Sequence, residues 1–172
     1  MSTEDKLRAI RECMAQEGLD ALVVPTDDPH GSEYLAEHWQ CRKWLTGFTG
    51  SAGTAVVTMD NGGLWTDSRY FIQALSQLEG TGVELHKTRM PDSVYIPQWL
   101  ALHGISRVAI DGLCWNVSAV EEIECAISAP VSDVPDLLET LWVDRPALPV
   151  TPVATLDVEC FGGIPRIDKI QW

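Results

Sequence analysis

Side chains able to hold a metal, attack a bond or grip a ligand occur in four places in this chain. These are the Asp27, Asp28 and His30 run, the glycines Gly47, Gly50 and Gly53, five scattered cysteines, and Arg69 behind Trp65-Thr66-Asp67. Two carboxylates beside an imidazole suggest a divalent cation. Their spacing fits no common metal motif, however, and Asp-Pro and His-Gly are turn dipeptides, so residues 26–34 read as a loop. The glycines do not spell G-x-G-x-x-G, and no Lys-Ser/Thr pair follows them, which argues against a phosphate cradle. Cys13, Cys41, Cys114, Cys125 and Cys160 are odd in number and contain no C-x-x-C, so neither a zinc knuckle nor a disulfide framework is expected; reduced thiols in a cytoplasmic setting are the economical reading. His30, His38, His86 and His103 fall in four different elements, without H-E-x-x-H or G-x-S-x-G, and no catalytic set can be assembled from them.

Arg69 gains its interest from the elements around it. Thr54 to Met59 and Gly63 to Thr66 are short apolar runs joined through Asn61-Gly62-Gly63, which predicts a β-hairpin with a type I′ turn. From Asp67 the period becomes helical, with Tyr70, Phe71, Ala74, Leu75 and Leu78 on one face and Asp67 placed to cap the first turn. Arg69 then lies in that first turn, where a cation opposes the macrodipole at a cost of about 0.3–1 kcal/mol if exposed. Two readings stay open: the guanidinium pairs with Asp67 or another carboxylate, or it contacts a ligand. Trp65 reads as core.

The flanking segments complete an α/β pattern. Leu7, Ile10 and Met14 define a helix over 3–17, ended by Gly18. Ala21 to Val24 is a buried strand stopped by Pro25. A helical turn is expected between Ser32 and Trp39. Val83 to Thr88 alternates as a half-exposed strand, with His86 on its solvent side. Ser93 to His103 suits a short helix interrupted by Pro97, and Arg107 to Gly112 a second buried strand. Asn116, with a Ser118-x-x-Glu121 capping box, starts a helix over 119–127. A brief strand at 131–134 and a short helix through Leu137, Leu138, Leu141 and Trp142 follow. From Asp144, prolines and glycines without a period describe a connector, and Ile167 to Ile170 begins another helix, so the sequence reads as a piece of a longer polypeptide.

The chain has 172 residues, enough for one domain with a substantial core; 45% are hydrophobic and 22% charged, as in ordinary globular proteins. A net charge of −13, with twelve basic residues that never cluster, argues against nucleic acid and anionic membranes as partners. No run approaches the roughly 20 apolar residues of a membrane span.

At PTDDPHGSEY, RKWLTGFTGSAGTAVV, LWTDSRYFIQA and LWVDRP the sequence resembles the N-terminal domain of Xaa-Pro aminopeptidases, the aminopeptidase P branch of the creatinase/prolidase family. The resemblance implies an α/β domain of ribonuclease H-like topology, a mixed β-sheet flanked by helices, over residues 1–145. Residues 146–172 would then lead to an absent C-terminal catalytic domain. It also implies two divalent metal ions, manganese as a rule, held by that absent domain, with no cofactor and no catalytic residue in this segment, which alone would be inactive. Arg69 occupies the position of the family's substrate-contacting arginine, with Ser68 in place of a common glycine. A proline-containing peptide substrate and a homodimer complete the implied partners, and a non-catalytic peptide-binding module of creatinase-like fold is the alternative.

Overall fold

The computed structural model describes residues 1–134, 137–152, 154 and 163–171. Six strands form one mixed sheet: β1 (Ala21–Val24), β2 (Thr54–Thr58), β3 (Gly62–Thr66), β4 (Glu84–Lys87), β5 (Val108–Ile110) and β6 (Ser132–Asp133), in the order β4-β3-β2-β1-β5-β6. β2 runs antiparallel to β1 and β3; the β3/β4, β1/β5 and β5/β6 pairs are parallel. Among the described residues five strands therefore point the same way, and β2 runs against them.

Strand side chains alternate between two buried faces, which explains why the central strands read as continuous apolar runs. Leu22, Val24, Ala55, Val57 and Leu64 pack beneath α1 (Thr3–Glu17), α2 (Cys41–Thr46) and α3 (Phe71–Leu78), which contribute Leu7, Ile10, Met14, Leu45, Ala74 and Leu78. Ala21, Val23, Val56, Trp65, Val108 and Ile110 face the opposite layer, built on Trp99 and Leu100 of α4 (Ile96–Leu102) and Ile123 of α5 (Val117–Ile127). A last helix, α6 (Arg166–Ile170), lies near the end of the chain. No described helix is long and apolar enough to cross a membrane.

Most of the predicted elements are present, with α1 capped by a Ser2–Asp5 capping box and closed by Gly18 at φ 67°. Several local readings need correction. The hairpin exists, but its register pairs Val57 with Gly62 and places Met59 and Asp60 at the tip, neither with positive φ. The loop is closed by Thr58, whose amide donates to the Asn61 carbonyl and whose Oγ1 accepts from the Asn61 amide, each at 2.9 Å. A side chain thus supplies what a type I′ backbone would have supplied. Helix α3 begins at Phe71 with Tyr70 as its uncapped N-cap, so Asp67 is no cap and Arg69 lies outside the helix, free of the macrodipole conflict. Pro97 occupies the first turn of α4, where its missing N–H is harmless, and interrupts nothing. Helix α5 starts at Val117 on the Asn116 cap, two residues before the Ser118 box would place it. Residues 137–141 form turns rather than a helix, and the helical turn expected from Ser32 is a 3-10 turn at Glu37–Trp39.

Candidate functional site

Because five strands share a direction, the segments after β1, β3, β4 and β5 and the segment entering β2 all gather at one end of the sheet. Such C-terminal strand ends are where α/β folds present ligand-binding loops. The segment entering β2, residues 47–53, is laid down carbonyl by carbonyl. Gly47 leaves α2 at φ 76°. Thr26 donates from its amide and its Oγ1 to the Gly53 carbonyl, at 3.0 and 2.7 Å, and Thr66 Oγ1 donates to Ala52 at 2.7 Å.

Arg42 supplies the remaining donors. It lies on the inner face of α2 beside Leu45 and Thr46 and is only 3% exposed. Its Nε donates to Thr26 Oγ1 at 2.9 Å, Nη1 to the Phe48 carbonyl and Nη2 to the Gly50 carbonyl, while its guanidinium lies 4.8 Å from the Phe48 ring centre. Burial pulls its pKa down to about 10, which leaves it charged at neutral pH. Among the described residues no carboxylate pairs with it. The sequence treated Arg42 only as a step toward the glycine turn. The available signal was its spacing to Leu45 and Thr46, which puts it on a buried helical face ahead of a loop in need of donors.

Tyr70 and Arg69 stand against the outer side of this loop. The Ser51 Oγ and Tyr70 hydroxyl are 2.7 Å apart, and the Phe48 and Tyr70 rings meet edge to face at 5.9 Å. A Cβ on Gly50 would run into both rings, which is why glycine stands there. Arg69 donates from Nε and Nη2 to the two oxygens of Asp67 at 2.9 and 2.7 Å, and its amide closes an Asx turn onto the same carboxylate at 3.1 Å. The pairing reading of Arg69 is therefore realised. The Arg69 grip holds the Asp67 carboxyl down at about pKa 2, and the guanidinium lies 5.2 Å from the Tyr70 ring centre. The Arg69 side chain nevertheless stays 64% exposed, and its Nη1 meets no acceptor among the described residues. The ion pair fixes the fork at the sheet end without consuming all of it.

The acidic loop turns part of its carboxylate capacity onto its own backbone. Asp28 Oδ1 accepts from the His30 and Ser32 amides at 2.8 and 3.1 Å, and Asp27 accepts from the Asp28 amide. Among the described residues no three His, Cys, Asp or Glu side chains converge to hold a metal ion. Cys114 is half-buried, and desolvation pushes its thiol up to about pKa 12, far from a reactive thiolate. His86, expected toward solvent, lies flat on Trp65 at 3.9 Å with Trp99 edge-on at 5.9 Å, because α4 covers that side of β4. Cys160 lies outside the described residues.

Helices cover both faces of the mixed sheet, and at its strand ends stand the braced glycine loop and the arginine clamped by Asp67. Residues 6–141 match the family described as the Creatinase/Prolidase N-terminal domain, and the chain belongs to that family. It is 36% identical to human Xaa-Pro aminopeptidase 2 over 99% of its length and 26% of that protein's, and 36% identical to aminopeptidase P2 of Arabidopsis thaliana over 92% and 24%. Among solved structures it resembles the X-prolyl aminopeptidase of Caenorhabditis elegans, described as a cytosolic enzyme with a di-nuclear active site, with 33% identity and a TM-score of 0.83 across 94% of this chain and 29% of that one. The chain thus spans about a quarter of the length of the curated relatives it matches.

Proposed function

We propose that this chain is the substrate-facing N-terminal domain of a metal-dependent Xaa-Pro aminopeptidase, which removes the N-terminal residue preceding a proline. The observation that carries this reading is the Arg69 fork, held by Asp67 and Tyr70 at the end of the sheet where loops gather, within a chain similar along almost its whole length to Xaa-Pro aminopeptidases. Proline calls for a dedicated enzyme because its tertiary amide lacks the N–H by which other peptidases grip a chain. A planar guanidinium suits the carbonyls that remain, so Arg69 orients the peptide on the C-terminal side of the scissile bond. Asp67 fixes the plane of the fork, and Ser51 and Tyr70 back it.

Residues 1–145 form the domain in this reading, and residues 146–172 connect it to a C-terminal catalytic domain that carries two divalent metal ions, manganese in this proposal. Metals bound there would supply the hydrolytic water and polarise the carbonyl, while the residues described here bind and orient. The di-nuclear, cytosolic description of the C. elegans relative supports the metals and a cytoplasmic setting. A homodimer of the full-length protein and the inactivity of this segment alone belong to the same proposal.

The test is Arg69→Ala in the full-length protein. Loss of one charged, paired donor is expected to lower kcat/KM for Xaa-Pro peptides by about tenfold or more, with the fold retained by circular dichroism. Unchanged kinetics would remove Arg69 from the site.

A further inference from the structure

A cavity of about 240 Å³ lies directly beside the braced loop. Its wall includes Arg42 together with Thr26 and Gly50, which accept from Arg42 Nε and Nη2. Lys43 stands at the rim, its Nζ donating to Gln40 Oε1 at 2.8 Å, and Tyr34 and Trp39 supply aromatic walls. Three of the five guanidinium N–H groups of Arg42 meet acceptors among the described residues, all of them neutral oxygens. A buried cation satisfied only by carbonyl and hydroxyl dipoles retains its charge imbalance, and here it does so in a chain carrying 25 acidic residues. Such a charge favours an incoming anion.

The size and position of the cavity narrow the ligand. At 240 Å³ it falls below the roughly 300–1,000 Å³ of pockets that enclose a whole drug-sized ligand, which suits the end of a longer molecule. Ser51 forms part of its wall and also meets the Tyr70 hydroxyl at 2.7 Å, so the cavity and the Arg69 surface share one partition. The cavity is therefore within reach of a peptide held at Arg69.

We infer that the cavity is a subsite for the C-terminal carboxylate of a short peptide, with Arg42 and Lys43 providing the positive charge and Tyr34 and Trp39 the walls. This rests on the proposed function for the peptide class. Glu33, also at the rim and exposed, acts against the carboxylate and restrains its affinity.

The experiment reads binding rather than turnover, so its failure is separate from failure of the peptidase reading. The 172-residue chain is titrated with Gly-Pro-Gly-Gly as the free acid, with the same peptide as the C-terminal amide, and with acetate, following the Trp39 indole and the Gly50 and Ser51 amides by NMR. The free acid is expected to move these resonances and to bind about tenfold more tightly than the amide, the worth of one charge-assisted contact. Lys43→Glu brings the acid down to the amide's affinity, and Glu33→Gln raises it. Both side chains are exposed, so folding is not at stake. Equal affinities for acid and amide, shifts confined to other regions, or acetate binding as tightly as the peptide would each overturn the assignment.

Discussion

Arg42 and Arg69 are both forked cations at one end of a sheet, and their surroundings give them different work. Arg69 has a carboxylate, stays exposed and is oriented. Arg42 has none, is buried, and orients the backbone around it. Replacing Arg42 with methionine keeps the volume and removes the donors, stranding the Phe48 and Gly50 carbonyls. The expected cost is about 3 kcal/mol, read as a lowered urea midpoint, since buried acceptors left unpaired lose about 1–3 kcal/mol each. Asp67 titrates far from neutrality: its folded value of about 2 lies below the ordinary 3.8, so the stabilisation it gives through Arg69 is present above 3.8 and is lost as pH falls through 2. The Arg69 fork therefore keeps its orientation across the physiological range.

At the scale of elements, the stacked rings between β3, β4 and α4 set an acid sensitivity. His86 lies on Trp65, and His103 lies on Trp99 at 3.9 Å with its Nδ1 at 2.7 Å from the Trp99 carbonyl. Desolvation lowers the pKa of His86; Glu84 pulls the other way and His103 adds to the lowering. The folded state thus takes up its proton later than the unfolded state. Stability is complete above the unfolded value of 6.5 and falls as pH drops below it. The urea midpoint is expected to decrease between pH 7.5 and 5, and His86→Phe, which keeps the stack, should flatten that decrease. No change in slope would place the acid sensitivity elsewhere.

How much of this could be read beforehand depended on whether the deciding interaction was local. The buried strand β1, the end of α1 at Gly18 and the Asn116 cap were visible because neighbouring residues decide them. Helix α2 was missed because six residues carry barely more than one period, and its stability comes from what Arg42 touches across 16 residues of chain. The hairpin tip and the start of α3 were misplaced for a related reason: Thr58 and Asp67 spend their side chains on the backbone, replacing the glycine turn and the cap that propensity favours. His86 was assigned to solvent because strand alternation cannot show that α4 lies over it.

At the scale of the molecule, the described chain after Pro146 is exposed throughout, while Arg145 and Pro146 are tied to the body. Arg145 Nε donates to the His38 carbonyl at 3.0 Å, and His38 Nδ1 lies 2.7 Å from the Pro146 carbonyl. A chain ending at residue 145 is expected to unfold in one cooperative transition, within about 1 kcal/mol of the 172-residue chain, because among the described residues the hydrogen bond that crosses this boundary is His38 to Pro146. Calorimetry decides this, and a broad or absent transition would extend the domain beyond 145.

The outer strands have a consequence for self-association. β6 is two residues long, and β4 presents charged Glu84 and Lys87 at its ends, so neither margin offers a long apolar backbone template for another copy to extend. Mutual repulsion among molecules of charge −13 discourages stacking as well. Strand-edge pairing between copies is thus disfavoured, and concentrated solutions of this chain should resist growth into fibres.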